Sequence, residues 1–323
     1  MTPELLATVI VVGAILVAIA LAVRYRARRA EARHPPAGRF IEVDGVRLHY
    51  IERGVGTPVV LLHGNGTRAD DFDGSGVLDR LAANHRVVAF DRPGYGFSER
   101  PRGPRMWTPQ RQAHLLTRAF QQLGIEQPVV VGHSWGTLVA LALGLDHSRG
   151  LRGLVLLSGY YYPTMRLDAV LFAPPAIPLL GDVMRHTISP VLGKLLMPVM
   201  LRQMFAPSSV PDSFRNAVPT QLMLRPWQLR ASAAEAGLMV PAAWRLRRRY
   251  GELQISIHLI AGADDRVATT KRHSERFGRE VGNTELRVIP GVGHMVHYFA
   301  QEQITEAVDS LARPQRDIGQ RSA

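Results

Sequence analysis

The sequence predicts an α/β protein: a mostly parallel central sheet with helices on both faces, a helical insertion late in the sheet, and a transmembrane helix at the amino terminus. Three observations predict it. Short continuous Val/Leu/Ile runs alternate with helical stretches, as expected of strands buried on both sides. That rhythm is interrupted between Tyr160 and Tyr250 by a segment rich in proline and methionine. Nineteen residues without a charge, Leu5 to Val23, open the chain.

Taken in order, Leu5–Val23 as a helix spans roughly 28 Å, about the hydrocarbon thickness of a bilayer. It has no polar stripe of the kind that a buried helix of a soluble protein carries. A cleavable signal peptide competes with this reading, but only Thr2, Pro3 and Glu4 precede the apolar run, whereas such a leader carries a basic stretch there. Arg24, Arg26, Arg28, Arg29 and Arg33 follow the run, so the positive-inside rule places the remainder in the cytoplasm. The expected location is the cell membrane, single-pass. Residues 24–39 are read as a basic linker next to the membrane, with His34 to Gly38 its stiff end. Phe40 to Arg53 alternates apolar and polar residues about Asp44-Gly45, a hairpin signal. Pro58–Leu62, Arg86–Phe90, Pro128–Val131 and Leu151–Leu157 read as strands, with a helix from about Thr108 to Leu123. Ile255–Ile260 and Glu285–Ile289 resume the strand pattern after the insertion. The expected organisation is therefore a span at 5–23, the linker at 24–39, a first core part at 40–159, a helical lid at 160–250, a second core part at 251–313 and a frayed tail at 314–323.

Composition narrows the function. With 323 residues and 46% hydrophobic content, a sizeable core is expected. There is no cysteine, which excludes disulfides, thiolate metal sites and a cysteine nucleophile. The net charge of +12 comes almost wholly from arginine, with only Lys194 and Lys271 as lysines. Neither the first cluster nor Arg245, Arg247, Arg248 and Arg249 carries interleaved aromatics or a nucleic-acid-binding module. A membrane surface suits the first cluster and a solvated helix face the second, so no nucleic-acid partner is expected.

Chemistry enters at four strand ends. Gly132-His133-Ser134-Trp135-Gly136 sits between a strand and an apolar helix, the setting in which G-x-S-x-G has meaning. Glycines flank a serine held on a strained turn, beside a helix amino terminus that favours developing negative charge. His63-Gly64-Asn65-Gly66 leaves another strand and can aim backbone amides at an oxyanion; Asn65 and Trp135 are the natural pair. Asp264 and Asp265 follow the strand ending at Ile260, and His294 follows the strand ending at Ile289. The chain order Ser, Asp, His is one of the known triad orders.

These motifs resemble those of the α/β-hydrolases. HGNG is similar to that family's oxyanion turn, DRPGYGFS (Asp91–Ser98) to its D-x-x-G-x-G-x-S loop, GHSWG to its nucleophile elbow, GADDRV to its acid loop and GVGHM to its histidine loop. The resemblance spans about Phe40 to Leu311, with the insertion where the family places its lid. It implies Ser134 as nucleophile, His294 as general base and Asp265, three positions after Gly262, as the orienting acid. Some relatives carry the acid after the preceding strand, where this chain has Ser158-Gly159. Epoxide hydrolases and haloalkane dehalogenases of this fold use an aspartate nucleophile, which Ser134 argues against. No cofactor or metal is implied. His133 and His297 are expected to pack, and Asp91 to anchor its own loop. The implied activity is a serine hydrolase acting on a small-molecule carboxylic ester. Met184, Met197, Met200, Met204 and Met223, together with a tether near lipid, suggest a hydrophobic acyl chain. C–C bond hydrolysis, amide or peptide cleavage and perhydrolase chemistry use the same triad, and a non-catalytic binding protein is the remaining alternative. GHSWG has some similarity to proline iminopeptidases, whose oxyanion turn HGNG does not match.

Overall fold

The computed structural model describes residues 2–103 and 106–313, so the tail at 314–323 lies outside the described residues. Its sheet has eight strands: β1 (Arg39–Val43), β2 (Val46–Arg53), β3 (Thr57–Leu62), β4 (His85–Phe90), β5 (Val129–His133), β6 (Gly153–Leu157), β7 (Ile257–Gly262) and β8 (Thr284–Ile289). They run in the order β1-β2-β4-β3-β5-β6-β7-β8. The first hairpin pairs antiparallel and adds to β4; every later pairing is parallel. At the hairpin turn Asp44 and Gly45 both have positive φ, 50° and 72°. Two-residue turns of this hand match the twist of the strands they join.

The helices are α1 (Pro3–Arg33), α2 (Asp70–Gly74), α3 (Val77–Ala82), α4 (Pro109–Gln122), α5 (Trp135–Asp146), α6 (Leu167–Phe172), α7 (Leu180–His186), α8 (Ile188–Phe205), α9 (Asp212–Ala217), α10 (Thr220–Met223), α11 (Pro226–Arg247), α12 (Ser274–Glu280) and α13 (Gln301–Ala312). Strand side chains alternate between faces, so Val60, Leu62, Val130 and Leu156 meet α4 and α5 in one core, while Val59, Leu61, Val131 and Leu157 meet α3 and α13 in the other. That double burial is why the strands read as unbroken apolar runs.

One boundary differs from the sequence reading. Helix α1 does not end with the apolar run; it continues through the basic segment to Arg33, shortening the linker to residues 34–38. Nothing from Arg24 to Arg33 breaks a helix, whereas Pro35 and Pro36 do. Between β6 and β7 the chain leaves the sheet and forms α6 to α11. Among the described residues α1 is the one helix long and apolar enough to cross a membrane, a description that a signal sequence near the amino terminus also meets.

Candidate active site

Parallel strands all point their carboxyl ends the same way, and such sheets gather ligand-facing groups there. Ser134 follows β5, Asp265 follows β7 and His294 follows β8. The turn after β5 is tight: Ser134 has φ 51° and ψ −116°, a conformation that side-chain-bearing residues rarely adopt. It requires small neighbours. A Cβ at Gly132 would lie 2.7 Å from the Gly136 carbonyl oxygen, and one at Gly136 would lie 2.2 Å from that of Leu62. The strain is held by the Ser134 amide donating to the Leu157 carbonyl, 2.9 Å, and by α5 starting at once.

The three residues singled out from sequence come together. His294 Nε2 lies 2.9 Å from Ser134 Oγ, and His294 Nδ1 lies 2.8 Å from Asp265 Oδ2. Asp265 Oδ1 accepts from the amides of Val267 and Ala268, which fixes the carboxylate. Asp264, its alternative, faces solvent. The side chains of Asp265 and His294 are buried, and Ser134 is half-buried.

The turn after β3 lies against the serine. A Cβ at Gly64 would sit 3.2 Å from that of Ser134. Asn65 is clamped through its side chain: Nδ2 donates to the Ser232 carbonyl, 3.0 Å, and Ser232 Oγ donates to Asn65 Oδ1. Among the described residues neither the Asn65 nor the Trp135 amide donates to a protein acceptor, so both remain available to an oxyanion.

A buried charge network that the sequence reading missed holds this turn. Arg92 Nε donates to the His63 carbonyl, 2.8 Å, and Nη2 to that of Gly64, 3.1 Å. The same guanidinium meets both carboxylate oxygens of Glu235 on α11, at 2.6 and 2.9 Å. Tyr95 Oη and Gln112 Nε2 also donate to Glu235, and Trp135 Nε1 donates to its carbonyl. Burial alone would raise the Glu235 carboxyl, but Arg92 holds it below the usual range. One sequence signal pointed here: Glu235 is the only acid between Asp212 and Glu252, set in the apolar run AEAGLMV. His63 is pushed down to about 4 by burial and by Arg92, so it is neutral, and its Nε2 accepts from the Arg92 amide, 3.0 Å.

The other histidines sort themselves by partner. Burial, then the charges of His297 and His294, drives His133 well below the ordinary range. Its Nε2 lies 3.1 Å from the His294 carbonyl, and its ring lies tilted against that of His297, centroids 4.3 Å apart. Asp71, His133 and His297 bring one potential ligand atom each to within 4.8 Å of one another, the one such group among the described residues. With His133 already directed at the His294 carbonyl, the group packs beneath the serine turn, and the chemistry proposed below takes no step through it. Asp91 anchors loops: Oδ1 accepts from the Ala69 amide and Oδ2 from that of Phe97, with His49 Nδ1 at 2.7 Å. A separate cleft of about 770 Å³ lies between the linker after α1, residues 94–101 and α11; none of Ser134, Asp265 or His294 lines it.

Known proteins agree with this architecture. The model of the alpha/beta hydrolase family matches residues 59–307. Haloalkane dehalogenase 2 of Mycobacterium tuberculosis is 29% identical over 147 residues, 44% of this chain and 50% of that protein. The match thus spans about half the length of that curated relative. The 2-hydroxy-6-oxo-2,4-heptadienoate hydrolase of Pseudomonas putida is 26% identical over 269 residues, 80% of this chain and 90% of that one. Among solved structures, a thermophilic esterase from Thermogutta terrifontis superposes with a TM-score of 0.68 at 21% identity, covering 84% of this chain and 97% of its own; at that identity the likeness is one of fold. The chain belongs to the alpha/beta hydrolase family.

Proposed function

We propose that this alpha/beta hydrolase is a membrane-anchored serine hydrolase that cleaves carboxylic esters with a hydrophobic acyl chain. The observation that carries the chemistry is the continuous relay from Ser134 through His294 to Asp265, with spacings of 2.9 and 2.8 Å. In the mechanism, Ser134 Oγ attacks the ester carbonyl as His294 Nε2 takes its proton. Asp265 holds the imidazole in the tautomer with Nδ1 protonated. The Asn65 and Trp135 amides stabilise the tetrahedral oxyanion, each donor contributing about 3 kcal/mol in sites of this kind. Collapse expels the alcohol, and water repeats the attack on the acyl-enzyme.

The anchor reading rests on α1, and the flanking arginines favour a cytoplasmic domain. The insertion α6–α11 acts as the lid, which is where substrate preference would reside. The hydrophobic acyl chain is supported by the methionines of that insertion, of which Met197 and Met204 pack against the cluster that holds Met295, next to His294. A second reading, hydrolysis of a C–C bond, is favoured by the relative named above as a 2-hydroxy-6-oxo-2,4-heptadienoate hydrolase, which matches over 90% of its length.

Labelling by a fluorophosphonate tests the activated serine: wild type is expected to label and Ser134→Ala not to. Absence of label on the folded wild-type protein would remove both hydrolytic readings. A panel of esters of increasing acyl length, run beside a vinylogous β-diketone, then separates ester from C–C cleavage; faster turnover of acetates than of long-chain esters would remove the hydrophobic acyl chain.

A further inference from the structure

Most apolar residues in the first three turns of α8 face outward. Ile188, Val191, Leu192, Leu195, Leu196 and Val199 recur at the three- and four-residue steps of one helix face. All are exposed, Leu195 at 69% and Val199 at 58%. Lys194 is the one charge on the helix before Arg202. On α7, Leu180 and Val183 extend the exposed surface. Removing such side chains from water is favourable in proportion to the apolar area covered. A face of this size therefore favours an apolar partner strongly.

The structure also indicates which partner. Helix α1 is covered along one stripe only, Ala20, Val23, Ala27, Ala30 and Glu31, at helical spacing. The elements it packs against are α7 and α10. Glu31 accepts from the buried guanidinium of Arg225, 2.7 Å, which pins the insertion to the helix. Ala20 and Val23 belong to the apolar run Leu5–Val23, so contact with the insertion begins within the last turn of the span, about 5 Å before Arg24. If α1 crosses the bilayer, the insertion sits at the membrane boundary and α7 joins its level to α8.

We propose that the outward face of α7 and α8 is embedded in the interfacial layer of the membrane, so that anchor and insertion form one lipid-binding surface. The proposal rests on the reading of α1 as a membrane anchor. An apolar helix left facing water and held beside a span removes its outward side chains from water when that face meets acyl chains. The occupant is lipid rather than a second copy because the neighbouring apolar surface, that of α1, is the one whose length matches a bilayer.

The chain has no cysteine, so single reporters can be placed without background. Val12→Cys, Leu195→Cys and Glu126→Cys, in the full chain, each carry an environment-sensitive fluorophore in vesicles of equal parts phosphatidylcholine and phosphatidylglycerol. Glu126 lies beyond the amino-terminal end of β5, away from Ser134, and is exposed. Retained fluorophosphonate labelling confirms that each variant is folded. Lipids brominated about 5–10 Å below the headgroup boundary are expected to quench residue 195 as they do residue 12, and to leave residue 126 unquenched. Quenching at residue 12 alone overturns the proposal and leaves the anchor standing. Quenching at neither overturns both. Disulfide-linked dimers of unlabelled Leu195→Cys, with no quenching at 195, overturn it in favour of a second copy of the chain.

Discussion

Helices α5 and α8 are close in composition and opposite in fate. WGTLVALALGLD and ISPVLGKLLMPVMLRQMF are both apolar nearly all round, yet Leu138 to Leu143 of α5 are wholly buried while α8 shows a full apolar stripe to the outside. The difference is what surrounds them. Helix α5 starts at the strained serine turn and lies between the sheet, α4 and α11; α8 is covered on its inner side by a small core that the insertion shares with Met295 and Tyr298, where Leu201 and Phe205 are buried, and among the described residues its outer side chains stay exposed. An apolar helix identifies a low-polarity neighbour without saying whether that neighbour is protein or lipid. One helix positions the chemistry, and the other is assigned above to positioning the molecule.

Substitutions can separate the two roles. Ser134→Ala, at the head of α5, is expected to lower turnover by roughly 10⁴- to 10⁶-fold, measured with an activated ester, while vesicle binding stays unchanged. Loss of binding in that variant would break the division. Next in size is Arg92→Met, which leaves Glu235 buried beneath α5 without its guanidinium; unfolding free energy by urea is expected to fall by about 3–5 kcal/mol. A loss no larger than that of a surface substitution would mean that Arg100, 3.9 Å from Glu235, takes over the pairing. Truncating one leucine in each helix gives the direct contrast. Leu141→Ala in α5 opens a core cavity and is expected to cost about 2–5 kcal/mol, whereas Leu195→Ala in α8 is expected to change stability in detergent-free buffer by less than about 0.5 kcal/mol. Equal costs would show that α8 is buried after all.

Acid acts on the core side. Burial lowers His63 and His273 from 6.5 to about 4. The unfolded chain therefore binds more protons than the folded one between these values. Their neutral state stabilises the fold fully above pH 6.5, and that stability is lost as pH falls toward 4, by at most about 1.4 kcal/mol per unit for each histidine. Urea midpoints at pH 7 and pH 5 measure it; equal midpoints would mean that neither ring is held neutral.

Much of this was legible in the sequence because the signals were local. Runs such as PVVLL and PVVV follow from burial on both sheet faces, and GHSWG, HGNG and GVGHM each place chemistry at a strand end within five residues. Local pattern left Asp264 and Asp265 level, and only the resemblance chose between them; in the fold the Asp265 amide turns back to the Gly262 carbonyl, 3.3 Å, and its carboxylate lies 2.8 Å from His294. What escaped depended on distance. Arg92 and Glu235 are 143 positions apart, and no local pattern pairs them. Periodicity could give α8 a face, but its direction is set by α7 and α11, which only the folded chain brings together with it.

Helix α8 also ends on the active site. The amide of His294 donates to the carbonyl of Met204, 3.1 Å, and a side chain at Gly293 would run into the carbonyl of Ala206, 2.0 Å from its Cβ. The histidine loop is thus moulded against the last turn of the insertion. Exchanging the insertion for that of a relative would remove a support of the base, so a working chimaera has to carry Met204, Ala206 and the histidine loop together as one cassette.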